Sequence, residues 1–389
     1  MRLLYISHSF PLPGQPLSNV GGMQRVAVGL HDALRAHPEV ELTSHVLETS
    51  WERTPSRMVP FMVRLLAEIP RTVRRERIDV VLFSSMVTAT HAVALRAMLN
   101  GSHARLAAIP VGRDVTLPTR PYQWLLPKVF SALDRAFPIS QATGRECLAR
   151  GLAAAKMEVV PCGVDPGLFS APADREAARD ELLRMLGERG RTIGDDSLLV
   201  SSVGRLQRRK GFHWFVDAVV SRLPDDVHYL LAGTGSMEGE IRAAIDRHDL
   251  GNRVHLFGRV SEEELRRLYR GADLFAMPNI PVTGDIEGFG VVMLEAALSG
   301  LPVLAADLEG IRDVVSEGEN GHLLPSGDAE AFTSRILSYR ADRERLAAAS
   351  GRAARHTEES FSWSAIADRF VEALTPAAGA GIDRPREAA

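Results

Sequence analysis

Cysteine is nearly absent from this chain of 389 residues, which carries only Cys147 and Cys162. Two cysteines build neither a disulfide framework nor, by themselves, a zinc site, and they fit a reducing compartment. Lysine is almost as scarce: of 46 basic residues only Lys128, Lys156 and Lys210 are lysine. The bias reads either as the mark of a GC-rich genome or, at Lys210, as a need for a compact ammonium. No window approaches about 20 uninterrupted apolar residues, so no transmembrane helix is expected. The opening MRLLYISHSF is one strand-length apolar run, too short for a signal peptide. The formal net charge of −3 gives no global field for nucleic acid, and no nucleic-acid partner is expected. No Asp-x-Asp pair is present to hold a divalent metal, and no Gly-x-Gly-x-x-Gly follows the first strand, which argues against a nicotinamide dehydrogenase.

What remains is an ordinary globular composition, 45% apolar and 24% charged. The length suits two domains at roughly 100–200 residues each. Short apolar runs at 3–7, 41–46, 79–83, 106–111, 136–139 and 158–161 read as strands, with helical patterns at 22–34, 88–99 and 141–150. The pattern repeats, with strands at 198–203, 227–232, 253–257, 273–277 and 302–306 and helices at 214–222, 238–247, 262–269 and 293–298. Strand–helix alternation at this spacing predicts α/β domains with parallel, doubly wound sheets. A polar helical stretch (174–189) and a turn-rich segment (190–197) lie between the halves. The expected division is 1–170 and 171–360, with a helix at 361–376 and a disordered tail at 377–389. Two Rossmann-like domains facing each other leave a cleft at the carboxyl ends of their strands.

Three segments carry chemistry. In EGFGVVMLE (287–295) two carboxylates flank a Gly-x-Gly turn that opens a helix. The first-turn N–H groups of Gly290, Val291 and Val292 favour an anion. Glu287, in the loop, is placed to accept hydrogen bonds from sugar hydroxyls; Glu295, about 12 Å further along if every step is helical, can reach a ribose. Both are expected to tolerate substitution without unfolding. In GRLQRRKG (204–211) Arg205 offers a forked donor for phosphate oxygens and Lys210 a point charge. Such fixed cations fill the role a metal would otherwise take. Third, Asn19, Gly21, Gly22 and Arg25 open the first helix, where glycines let the backbone approach a phosphate closely.

With PISQAT (138–143), VPCGVD (160–165), AGTGSMEGEI (232–241), LFGRV (256–260), GLPVLA (300–305) and GHLLPSGD (321–328), these segments make the chain resemble glycosyltransferase family 4, retaining enzymes of the GT-B fold. The resemblance runs from Met1 to about Leu374, and FSWSAIADRFVEAL (361–374) resembles the final helix that returns to the first domain. It implies that a sugar passes from a UDP- or GDP-linked donor to a hydroxyl acceptor: a sugar, a lipid-linked sugar or a small polyol. No metal or cofactor takes part. Arg205 and Lys210 would hold the diphosphate, and Glu287 the transferred sugar, beside the backbone of Phe289 and Gly290. Val291 and Val292 would lie by the phosphates, Glu295 by the ribose, and Gly258, Arg259 and Val260 around the base, with Gly22 approaching from the first domain. Many members carry His-Gly-x-Asp after the fourth strand; here the stretch is Val111-Gly-Arg-Asp114. Arg113, Asp114 and His8 are then the candidate sugar or acceptor contacts. A front-face route, in which the departing phosphate takes the acceptor proton, fits a cleft rich in cations with no evident base. A nucleotide-sugar epimerase of the same fold and a non-catalytic glycosyltransferase-like subunit stay open as alternatives. The segment 57–77 interleaves Arg with Met58, Val59, Phe61, Met62, Leu65 and Leu66. It reads either as a helix packing on its sheet or as a peripheral contact of a cytoplasmic protein with an anionic membrane.

Overall fold

A strand buried on both faces belongs inside a parallel sheet covered by helices, and the first strand is of that kind: everything in it beyond Arg2 is buried. The computed structural model describes residues 1–12, 14, 22–50 and 53–375. Asn19 and Gly21 and the tail at 377–389 lie outside the described residues.

The first unit runs β1 (Arg2–Phe10), α1 (Gly22–Ala36), β2 (Glu41–Glu48), α2 (Thr54–Glu76), β3 (Val80–Phe83), α3 (Met86–Ala89), α4 (Ala92–Met98), β4 (Arg105–Ala108), α5 (Arg113–Thr116), α6 (Arg120–Ala132), β5 (Arg135–Ala136) and α7 (Gln141–Leu148). The second runs α8 (Arg175–Glu188), β6 (Leu198–Val203), α9 (Phe212–Ala218), β7 (Val227–Ala232), α10 (Glu238–Arg247), β8 (Val254–Gly258), α11 (Glu262–Gly271), β9 (Leu274–Met277), α12 (Val291–Leu298), β10 (Val303–Ala306), β11 (Gly321–Leu324), α13 (Ala329–Ala341), α14 (Arg343–Phe361) and α15 (Trp363–Leu374). The sheets have strand orders β2-β1-β3-β4-β5 and β11-β10-β9-β6-β7-β8, parallel throughout. The winding reverses between β1 and β3 in the first and between β6 and β9 in the second. Ligands of doubly wound sheets bind outside the strand ends at such reversals.

Several expected elements differ. The expected helix 88–99 is two helices, α3 and α4, broken at Thr90, whose hydroxyl donates to the carbonyl of Val87. The strand expected to run to 111 ends at Ala108, and that expected to run to 139 ends at Ala136, because Pro110 and Pro138 donate nothing to a ladder. The segment 158–161 is no strand, although the amides of Glu158 and Val160 reach the carbonyls of Ala136 and Pro138. The helix expected at 214–222 starts at Phe212 and ends at Ala218, followed by a 3₁₀ turn at Val220–Arg222. Strand β11 carried no alternating pattern.

The chain crosses between the units twice, and the crossings run side by side. The Val164 amide donates to the Phe361 carbonyl (2.8 Å) and the Trp363 amide to the Val164 carbonyl (3.2 Å). The Trp363 indole lies against Gly29 of α1 and Gly163. A Cβ on either glycine would sit 2.2 or 2.5 Å from an indole atom, so neither tolerates a side chain. Helix α15 then packs against α1.

Candidate active site

The loop after β6 is shaped by close backbone contacts. Gly204 presents its carbonyl where any Cβ on Gly233 would lie, 1.9 Å away. A 3₁₀ turn (Arg208–Lys210) follows and ends at Gly211, φ +68°, where a Cβ would stand 1.9 Å from the carbonyl of Pro278. The loops after β6 and β9 therefore meet backbone to backbone, and the Ile280 amide donates to Arg209's carbonyl. This contact carries Lys210 to Glu287.

Lys210 Nζ is 2.6 Å from Glu287 Oε2, and Arg209 Nε is 3.5 Å from the same oxygen. Asn279 Nδ2 donates to it at 3.1 Å, and Arg209 also faces Asp285 at 3.4 Å. Lys210 and Glu287 are each only 7% exposed. Burial lowers the Lys210 pKa, with Glu287 opposing that shift. Burial alone would raise the Glu287 pKa, but Lys210 and Arg209 overcome it and hold the carboxyl below its usual range. Removing one partner of a buried pair costs about 3–5 kcal/mol. The expectation that Glu287 tolerates substitution is therefore corrected, since its carboxylate is buried against a buried cation. Arg205 differs, being exposed with no hydrogen bond or ion pair from its guanidinium among the described residues. It stands at the carboxyl end of β6, beside the sheet reversal.

Glu287 is followed by a tight passage. The carbonyl of Val111, from the first unit, comes within 3.3 Å of where a Cβ on Gly288 would be. Phe289 is buried, and Gly290 (φ +91°) caps α12. The first-turn amides of Val291 and Val292 have no acceptor inside the helix. Only Glu295 of the two carboxylates is helical. It is 2% exposed, pairs with Arg25 Nη1 of α1, and accepts from the Tyr269 hydroxyl at 3.2 Å. The position expected beside a ribose thus ties the two units together. A cavity of about 490 Å³ opens beside this pair, lined by Arg25, Val28, Phe169, Val291, Glu295 and Trp363 among others. Gly258 (φ +65°) ends β8 and receives the Gly233 amide at its carbonyl (2.8 Å), Arg259 is exposed, and Val260 is half-buried. Gly22 begins α1.

On the first-unit side, Asp114 is buried and its two oxygens accept the amides of Met86 and Val111, each at 2.8 Å. Burial raises its pKa to about 6. With each oxygen accepting one of these amides, it braces the turn that was also expected to contact the sugar or acceptor. His8 is buried, its Nδ1 3.3 Å from Ser85 Oγ, and burial lowers its pKa to about 4, so the ring is neutral. Arg113 is exposed. Among the described residues no group of three His, Cys, Asp or Glu could hold a metal ion.

Arg209, Asn279, Glu309, Tyr269 and Arg25 join the site without having been assigned roles from sequence. Arg209 and Arg25 stood inside or beside the motifs already singled out. Asn279, Tyr269 and Glu309 carry no local signal; the topology brings them in.

The architecture, two parallel-sheet Rossmann-like units whose reversal points face one cleft, is that of the GT-B glycosyltransferases. Residues 20–168 match the family described as Glycosyltransferase Family 4, and residues 197–342 match Glycosyl transferases group 1. The chain belongs to this family of glycosyltransferases. It is 34% identical over 239 residues to a D-inositol 3-phosphate glycosyltransferase of Segniliparus rotundus, a match covering 60% of this chain and 50% of that one. It is 28% identical over 339 residues to the GDP-mannose-dependent monoacylated alpha-(1-6)-phosphatidylinositol monomannoside mannosyltransferase of Corynebacterium glutamicum, covering 83% and 82% of the two chains. Against the amylovoran biosynthesis glycosyltransferase AmsK of Erwinia amylovora and the Segniliparus protein, the chain spans about half the relative's length, 48% and 50%. The crystal structure of Anabaena Alr3699/HepE in complex with UDP superposes with a TM-score of 0.71 at 20% identity, covering 96% and 99% of the chains. The catalytic domain of starch synthase IV from Arabidopsis thaliana, bound to ADP and acarbose, gives 0.72 at 13%, covering 96% and 98%. These likenesses show the shared fold. No helix among the described residues is long and apolar enough to cross a membrane.

Proposed function

We propose that the chain is a hexosyltransferase that moves a sugar from a UDP- or GDP-linked donor to a hydroxyl acceptor with retention of anomeric configuration, without metal or cofactor. The observation that carries the reading is the buried Lys210–Glu287 pair at 2.6 Å, set beside the exposed Arg205 at the sheet reversal. Arg205 and Lys210 neutralise the leaving diphosphate, aided by the first turn of α12. Glu287 faces the sugar and stabilises positive charge developing on its ring. The bond from the anomeric carbon to the phosphate oxygen breaks, and the acceptor oxygen bonds to that carbon on the same face. The acceptor proton passes to the departing phosphate oxygen. No protein base is required, which fits a His8 ring made weakly basic by burial and an Asp114 whose oxygens already accept two backbone amides. Relatives lend support by name: UDP is bound to the Anabaena protein, and the Corynebacterium enzyme uses GDP-mannose.

The reading extends to a cytoplasmic protein that meets an anionic membrane through α2. That helix buries Phe61, Leu65, Ile69 and Val73 but leaves Val59 and Val63 66% and 64% exposed. Exposed Arg64, Arg71, Arg74 and Arg75 share its outer side. The neighbouring helices α4 and α6 expose Met98 and Trp124. Basic residues beside apolar ones suit an anionic lipid surface, and the Corynebacterium relative is named for a phosphatidylinositol acceptor.

The test is a panel of UDP- and GDP-sugars assayed with hydroxyl acceptors in excess EDTA, with proton NMR of the first product. An α-linked donor is expected to give an α-linked product. Inversion, or an absolute need for added magnesium or manganese, would refute the corresponding part of the reading.

A further inference from the structure

Among the described residues, three non-glycine residues have a positive φ: Arg77, Asp249 and Glu309. Arg77 caps the end of α2, and Asp249 lies just past the end of α10. Left-handed residues are common at such helix ends. Glu309, φ +48°, closes no helix; it opens a 3₁₀ turn, Glu309–Asp313, after β10. Glycine would adopt this conformation freely, whereas a residue with a side chain is strained there. Something must hold it.

What holds it is the backbone of Glu287. The Glu309 carboxylate Oε2 accepts the Glu287 amide. In return the amide of Gly310 donates to the Glu287 carbonyl at 3.2 Å. Gly310 fits against this segment only because it lacks a side chain, since a Cβ would stand 2.1 Å from the carbonyl of Gly288. The two segments are thus clasped on both the donor and the acceptor side of Glu287. The far end of the same turn reaches the first unit, where Asp313 accepts the amide of Gln141 at 3.1 Å. One short turn therefore connects the start of α7 to the residue that faces the sugar.

We propose that Glu309 is a positioning residue, whose carboxylate fixes the backbone of Glu287 so that its side chain meets the transferred sugar at the required distance. The proposal rests on the role given above to Glu287. The side chain is needed where the conformation favours glycine, so the local strain is retained for the sake of the clasp.

Three variants separate this from a merely structural role. Glu309→Gly relieves the strain and removes the carboxylate; its Tm is expected to be unchanged or raised, while kcat falls roughly ten- to hundredfold with little change in donor KM. Glu309→Ala keeps the strain and loses the clasp, so both Tm and kcat fall. Glu309→Gln keeps an acceptor oxygen and is expected to restore kcat to within about threefold of the parent. Activity then follows the acceptor oxygen and not the stability. A Glu309→Gly enzyme with parental kcat, or losses that track Tm across the three, would overturn the proposal. Glu287→Gln is assayed alongside: if it too turns over normally, the reading of Glu287 itself fails, whereas a crippled Glu287→Gln beside a normal Glu309→Gly removes only the clasp.

Discussion

Arg25 on the first helix and Glu295 on α12 form an ion pair that joins the two units directly beside the cleft. Their side chains are 20% and 3% exposed, so the contact is largely shielded from solvent. If a donor ribose uses Glu295, it must displace or share this guanidinium. Arg25→Ala is expected to destabilise the free protein by about 3 kcal/mol, the lower end of the range for breaking a buried pair. A double-mutant cycle with Glu295→Gln, followed by denaturant unfolding, should return a coupling of about 1–3 kcal/mol. A coupling near zero would mean that the pair contributes nothing.

Lys210→Ala removes a cation from the leaving group and also leaves buried Glu287 with only the longer Arg209 contact and the Asn279 amide. Turnover should fall by about 2.7–4 kcal/mol of transition-state stabilisation, by analogy with a lost oxyanion donor. Stability should fall as well, which composition alone did not suggest. Adding Glu287→Gln should recover much of the stability and none of the turnover. Thermal denaturation and kcat/KM on the single and double variants check both halves.

Glu287→Gln and Glu295→Gln should fail differently. The first is expected to lower kcat strongly; the second should chiefly raise donor KM. Steady-state kinetics with varied donor decides, and identical KM-only effects at both positions would dismiss the division of roles.

Asp114 sets a pH dependence. Its folded pKa, about 6, lies above the ordinary aspartate value of 3.8, so the folded state holds the proton more tightly. Stability from this group is therefore lost as pH rises from about 4 to about 6, by an amount of order 3 kcal/mol. Asp114→Asn should flatten that limb of a stability-versus-pH curve measured by urea unfolding. An unchanged limb would show that Asp114 titrates normally.

The outer face of α2 yields a binding test. The protein should sediment with vesicles containing phosphatidylglycerol, release as salt rises, and ignore phosphatidylcholine vesicles. Val59→Asp with Val63→Asp should abolish sedimentation without lowering Tm, since both side chains are exposed. Parental binding by that variant would remove α2 from the contact.

Much of this was legible beforehand because parallel sheets write themselves plainly: β6 and β7 follow from their apolar runs at the residue. The same holds for EGFGVVMLE and GRLQRRKG, whose glycines mark forced backbone geometry. Less legible were elements whose pattern is broken by proline, such as α6 with Pro121 and Pro127. Burial of Lys210 was hidden for another reason. It depends on the Gly211–Pro278 contact between loops 67 positions apart, and no window of sequence contains both. Glu309 was invisible in the same way, since its meaning lies in a dihedral angle and in an amide 22 residues distant.

The paired crossings at Val164 and Ser362 have an optical consequence. Two adjacent chain segments are joined there by hydrogen bonds, and the indole of Trp363 sits beside them between Gly29 and Gly163. The chain has four tryptophans: Trp51, Trp124, Trp214 and Trp363. Trp363 is thus a built-in fluorophore where the two units join: its emission, isolated by replacing the other three with phenylalanine, is expected to change as donor is titrated if the units move against each other, with no label attached.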